Sequence, residues 1–135
     1  MKDILVAIDG SKPSLRALEH AAKLAKAIGA ALTLLVVRQF VVGRRDVFEV
    51  WSNEEVQNIL ERAKEVVATA GSPALTIVEE ESRDVAFTIV DVAVKKGVDM
   101  IVMGASGMGT LKAFVIGSVS AEVLRKAACP VTIVH

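Results

Sequence analysis

Two short stretches of this chain combine residue types that suit an oxygen-rich anion. One is Asp9-Gly10-Ser11, at the end of an apolar run; the other is Gly104-Ala105-Ser106-Gly107-Met108-Gly109-Thr110, followed by Gly117-Ser118-Val119-Ser120. Glycines let a backbone approach a ligand closely and aim successive N–H groups at it, and a helix start adds unpaired N–H groups with a partial positive charge. Ser118 could cap that helix or offer its hydroxyl to a phosphate, and the glycines could equally serve turns alone. Spacing excludes two common phosphate loops. The pattern G-x-x-x-x-G-K-[ST] is absent, and Gly104-x-x-Gly107-x-Gly109 reverses the glycine order of the dinucleotide fingerprint.

Other chemistry finds little support. His20 lies on the outer face of a helix and His135 ends the chain, so neither has a partner for catalysis or metal ligation. No zinc spacing, Ser/His/Asp set or paired-carboxylate site is visible, and no catalytic residue is assigned. Cys129, the single cysteine, precedes Pro130 and reads as a small buried apolar residue. Lys112 reads as exposed, or as approaching a phosphate, and Arg38, Arg44 and Arg45 read as part of a solvated loop, or as groups that swing over a ligand. Phe40, Val41, Val42, Phe48, Val50 and Trp51 make the irregular segment 38–51 too apolar for a free loop, so it should pack on a neighbour or a second subunit.

The elements that must position these residues follow from hydrophobic periodicity. Ile4–Ile8, Leu32–Val37, Leu75–Val78, Met100–Met103 and Val131–Val134 are short apolar, partly β-branched runs, as strands buried on both faces are. Helices alternate with them. One starts at Ser11 and stops at Gly29, a second opens on the capping box Ser52-Asn53-Glu54-Glu55, a third closes at Gly97, and a fourth runs from about Ser118 to Ala127. This βαβαβαβαβ order predicts an α/β, Rossmann-like fold. Its doubly wound five-stranded parallel sheet has the order 3-2-1-4-5, with helices on both faces. In such a sheet ligands bind beyond the strand ends where the order reverses, here between strands one and four. Asp9 and Gly104 leave from those two strands.

Composition bounds the partners. The 135 residues carry 16 Lys+Arg against 16 Asp+Glu and are 53% hydrophobic, which suits one domain spanning 1–135 that needs no disulfide or metal to close its core. Charge balance argues against nucleic acid or an anionic membrane as main partner. No apolar stretch approaches the roughly 20 residues that span a bilayer, and the N-terminus lacks a signal-peptide pattern, so the expected location is cytoplasmic.

The spacing G-x2-G-x9-G-[ST] is met by Gly104, Gly107, Gly117 and Ser118. Together with the opening Ile4–Ser11, the strand Asp99–Gly104 and the ending Cys129–Val134, it makes the chain resemble the universal stress protein family, in its ATP-binding branch. The resemblance covers nearly the whole chain. It implies that Asp9 contacts the ribose or metal-bound phosphates, unless it only makes a helix-capping turn. It also implies that backbone groups at Ala7 and Val37 contact adenine. By the same resemblance, Met103, Gly104, Gly107, Met108, Gly109 and Thr110 wrap the ribose and phosphates. Gly117, Ser118, Val119 and Ser120 would hold the terminal phosphates through N–H and hydroxyl groups. The implied ligands are ATP, or ADP or AMP, with Mg2+ carried by the nucleotide and Asp9 as a possible metal contact.

Two departures bear on this. Ala105-Ser106 stands where many members have a serine and a basic residue, and Glu81-Ser82-Arg83-Asp84 replaces the common turn after strand three. The resemblance further implies a homodimer formed by antiparallel pairing of the strands Val131–Val134. The function implied is an ATP-binding regulatory module of the stress response. A slow ATPase or phosphotransferase and a nucleotide-free structural dimer are the alternatives.

Overall fold

The computed structural model describes residues 1–105 and 116–135. The first apolar run forms β1 (Asp3–Ile8), with Ile4, Leu5 and Val6 fully buried. It turns into α1 (Lys12–Ile28) through Ser11, whose hydroxyl accepts the Ser14 N–H. Next come β2 (Ala31–Val42), β3 (Val47–Glu49) and α2 (Asn53–Thr69). The last of these opens on a complete capping box: the Ser52 side chain accepts the Glu55 N–H while the Glu55 carboxylate accepts the Ser52 N–H. The chain continues through β4 (Leu75–Ser82), α3 (Val85–Lys96), β5 (Met100–Gly104), α4 (Ser118–Lys126) and β6 (Val131–Val134).

β1 pairs in parallel with β2 and β5, β2 with β4, and β5 with β6. These five strands therefore lie in the order β4-β2-β1-β5-β6, the 3-2-1-4-5 arrangement expected from the alternation of elements. Both faces are covered because successive side chains point to opposite sides of a strand. Ile4, Val6 and Ile8 pack with α1 and α2, whereas Leu5, Leu35 and Ile101 pack with α3 and with Val123 of α4.

One expectation needs correction. The sheet is mixed and six-stranded, not purely parallel and five-stranded. β2 runs five residues beyond Val37, and its end pairs antiparallel with β3 through Phe40↔Glu49, Val41↔Phe48 and Val42↔Val47. The polar pair Arg38-Gln39 interrupts the apolar run, but β4 is long enough to continue the ladder beside it, through Arg38↔Glu81 and Gln39↔Ser82. The Gly43 N–H donates to the Asp46 carbonyl at 2.7 Å and closes the hairpin. Arg38 bonds Glu49 across it at 2.9 Å, while Arg44 and Arg45 stand exposed at its tip. Val41, Val42, Val47, Phe48 and Val50 are exposed as well, so the outer part of the hairpin stands off the described body of this chain. Cys129 also departs from expectation. It is half-buried rather than buried, and the partial burial pushes its thiol pKa up.

Candidate functional site

β1 and β5 lie side by side, yet the chain leaves β1 for α1 on one face and reaches α4 on the other after β5. Where the two exits diverge, a cleft of about 320 Å³ opens at the carboxyl ends of the strands. Its polar side is built by β1. The Asp9 carboxylate accepts the Ser11 N–H at 2.9 Å, and the Asp9 N–H donates to the Ser14 hydroxyl at 3.3 Å. These bonds make a tight turn around Gly10. That glycine has φ 82°, and a Cβ there would meet Ile59 of α2 at 2.9 Å, so both the turn and the packing of α2 require it. Asp9 thus does make the helix-entry turn while it lines the cleft.

The structure brings together Ala7 and Asp9 from β1 and its exit, Val37 from β2, and Met103 and Gly104 from β5. Gly117, Ser118, Val119 and Ser120 at the start of α4 complete this set around the same cleft. Gly107, Met108, Gly109 and Thr110, with Ser106 and Lys112, lie outside the described residues. Gly104 has a structural reason of its own, because a Cβ on it would come within 2.8 Å of the Pro13 backbone at the first turn of α1.

The start of α4 is unusual among the helices described. α1, α2 and α3 are each capped by a side chain, from Ser11, Ser52 and Asp84, but α4 has Gly117 at its cap position and no side-chain cap. Ser118 is therefore the first helical residue and not the cap. The first N–H groups of a helix have no partner within it. At α4 the Gly117 N–H donates outside the helix, to the Ala105 carbonyl at 2.7 Å, and Ser118, Val119 and Ser120 begin the helix where they line the cleft. The Ser120 hydroxyl faces inward instead: it is buried and donates to the Gly104 carbonyl at 2.8 Å, tying α4 to β5. Its proton is engaged there, which removes the donor role expected for it toward phosphate. The Ser118 side chain is exposed.

Further residues that the sequence did not reveal join the lining. Ser14 comes from α1, Val85 and Ile89 from α3, and Gln39, Val50 and Trp51 from the β2–β3 hairpin and its exit. The apolar excess of segment 38–51 was the one signal for the last group. Asp9 is the only carboxylate among the described lining residues. Among the described residues, no group of three or more His, Cys, Asp or Glu could hold a metal ion, and no helix is long and apolar enough to cross a membrane.

Comparison with known proteins agrees with this architecture. The Universal stress protein family matches residues 1–135. Universal stress protein YxiE of Bacillus subtilis is 39% identical over 98% of this chain and 97% of its own length. Universal stress protein MJ0531 of Methanocaldococcus jannaschii is 34% identical over 98% of this chain and 81% of its own. Among solved structures, a universal stress protein in complex with cAMP superposes with a TM-score of 0.77 at 26% identity, covering 99% of this chain and 96% of that one. With a family match that reaches from residue 1 to residue 135 and a fold that superposes over nearly the same span, this chain belongs to the universal stress protein family.

Proposed function

We propose that this protein is a cytoplasmic adenine-nucleotide-binding regulatory module of the stress response, with ATP as the favoured ligand. The observation that carries the reading is a cleft whose lining combines two chemistries. An uncapped helix start and Ser118 suit phosphates, while Val37, Met103 and Ile89 suit an apolar heterocycle. A structural neighbour bound to cAMP supports adenine as the base. Ala7, Asp9, Val37, Met103, Gly104, Gly117, Ser118, Val119 and Ser120 are the proposed contacts, joined by Gly107, Met108, Gly109 and Thr110. Ser120 would act through its N–H rather than its hydroxyl proton.

A nucleotide-borne Mg2+ fits this donor set, since such ions need only one or two protein ligands beside the phosphates, and Asp9 supplies a carboxylate at the cleft. The ion would neutralise phosphate charge, while the chain's own groups position the nucleotide. Binding would act by favouring one of two surface states for which the nucleotide has different affinity. The two sheet edges differ in a way that supports a homodimer. β4 carries Glu79, Glu80 and Glu81, whereas β6 reads Val131-Thr132-Ile133-Val134 with no charge to repel a second copy.

The test is to identify any nucleotide retained on purification by mass, then to follow ATP binding by calorimetry and thermal unfolding with Mg2+. A ligand at about 100 times its Kd stabilises the folded state by about 2.7 kcal/mol, which is readily seen. Absence of binding at millimolar ATP would sink the reading. Gly117→Val sharpens it. At φ −66° and ψ 162° any residue is tolerated, so the variant should fold normally and lose ATP because its side chain fills the phosphate seat.

A further inference from the structure

The β2–β3 hairpin is followed by an aromatic residue, Trp51, and carries an amide, Gln39, across from the residue before it; both line the cleft. Gln39 and Val50 are joined by the Val50 N–H donating to the Gln39 carbonyl at 2.9 Å, and Val41 pairs with Phe48. With a period of two, Gln39, Val41, Phe48 and Val50 share one face of the hairpin, and that face runs into the cleft wall, where Gln39, Val50 and Trp51 line it. Trp51 is half-buried and packs on the cluster beneath α1 and α2, so one side of it is held by core while it lines the cleft. The Gln39 side chain is exposed and makes no hydrogen bond to a described residue.

We propose that Trp51 and Gln39 form a side-chain base-recognition wall, with Trp51 stacking on a purine and Gln39 reading its edge. This rests on the nucleotide reading above and extends it. The resemblance placed base contacts only on backbone groups at Ala7 and Val37, which carry no code in their side chains. A carboxamide does: its NH2 donates and its oxygen accepts, matching the adjacent acceptor and amino donor of adenine. Guanine presents two acceptors, O6 and N7, on the corresponding edge and cannot satisfy the amide oxygen there. An aromatic held by the core stacks at little entropic cost, and base stacking of this kind tolerates any planar heterocycle while favouring the larger purines. Trp51 therefore sets affinity for the base and Gln39 sets adenine over guanine.

The chain has one tryptophan and no tyrosine, so its emission reports Trp51 alone. ATP, GTP, CTP and UTP are titrated into the wild-type protein, with calorimetry and Trp51 emission read in parallel. Trp51→Leu, Trp51→Phe and Gln39→Leu are then titrated by calorimetry. We expect ATP to quench Trp51, Trp51→Leu to weaken ATP about tenfold or more, and Trp51→Phe to recover most of that loss. Gln39→Leu should lower the ratio of ATP to GTP affinity by about tenfold. Because Gln39 is exposed, this variant folds and keeps the proposal testable even if Trp51→Leu does not. ATP binding by calorimetry with unchanged Trp51 emission and an unchanged ATP-to-GTP ratio in Gln39→Leu would overturn the wall and leave the nucleotide reading standing. Wild-type protein that binds none of the four would overturn both.

Discussion

Gly104 shows how one residue can belong to a site and to the fold together. It lines the cleft, yet the backbone of Pro13 lies 2.8 Å from where its Cβ would be, and backbone cannot swing aside as a side chain can. Gly104→Ala should push the first turn of α1 away from β5 and cost about 1–3 kcal/mol, as overpacking does. Urea unfolding measures this, and an unchanged midpoint would show that the approach of α1 to β5 is adjustable. A different residue governs acid stability at the N-terminus. The Asp99 carboxylate accepts the Lys2 N–H at 2.7 Å and the Asp3 N–H at 3.0 Å, and those two bonds, the Lys2 one first, hold its pKa below the ordinary aspartate value. A carboxyl depressed in the folded state binds protons more readily in the unfolded chain. Its contribution is complete above the unfolded value of about 3.9 and is lost as pH falls through the lowered folded value. Asp99→Asn should therefore lose less stability than wild type as pH drops from about 5 to 2. Parallel urea midpoints across that range test the sign, and equal acid losses in the two proteins would remove Asp99 from the account.

The elements divide by how locally their signals are written. β1 and β5 were legible because strands buried on both faces must be apolar at every position, and β6, though half-buried, is an apolar run of the same kind; such runs stand out from the sequence around them. α2 was legible for another reason, since Ser52 and Glu55 announce a capping box before any packing is known. Its cap gives a direct prediction. Ser52→Ala should destabilise the protein by about 1 kcal/mol, read as a lower urea midpoint with an unchanged m-value. Asp84→Ala should behave alike at α3, where Asp84 accepts the Phe87 N–H at 3.1 Å. That cap was hidden in the stretch Glu81-Ser82-Arg83-Asp84, which reads as a turn, behind the run Glu79-Glu80-Glu81, which reads as a solvated strand end. The hairpin was less legible still. β3 has three residues, and the extension of β2 depends on β4 lying beside it, a contact separated by more than forty residues in the chain. For the site, the strand exits and the start of α4 could be read from glycines and topology. Gln39 and Trp51 could not, because only the return of the hairpin brings them to the cleft.

At the scale of the whole molecule, the two sheet edges differ: β4 is charged, and β6 pairs only with β5 among the described residues. β4 ends the sheet with three glutamates, and such charge discourages pairing with another chain. On β6, the Pro130 carbonyl accepts from Ile101 and the Val134 carbonyl from Ala105. In a parallel ladder inward and outward groups alternate, so Val131 and Ile133 turn their N–H and C=O groups away from β5. Four residues of β6, all half-buried in the single chain, would gain cover if two copies met edge to edge about a two-fold axis. Ile133→Pro separates this contact from the fold. It removes one outward N–H that a partner strand would accept and leaves the bonds of Pro130 and Val134 to β5 in place. Sedimentation at micromolar concentration should show a dimer for the wild type and a monomer for Ile133→Pro, while circular dichroism of the two should coincide. A wild type that sediments as a monomer would mean that β6 is covered by another part of the structure or tolerated as an open edge. A dimer that survives Ile133→Pro would place the interface elsewhere on the molecule.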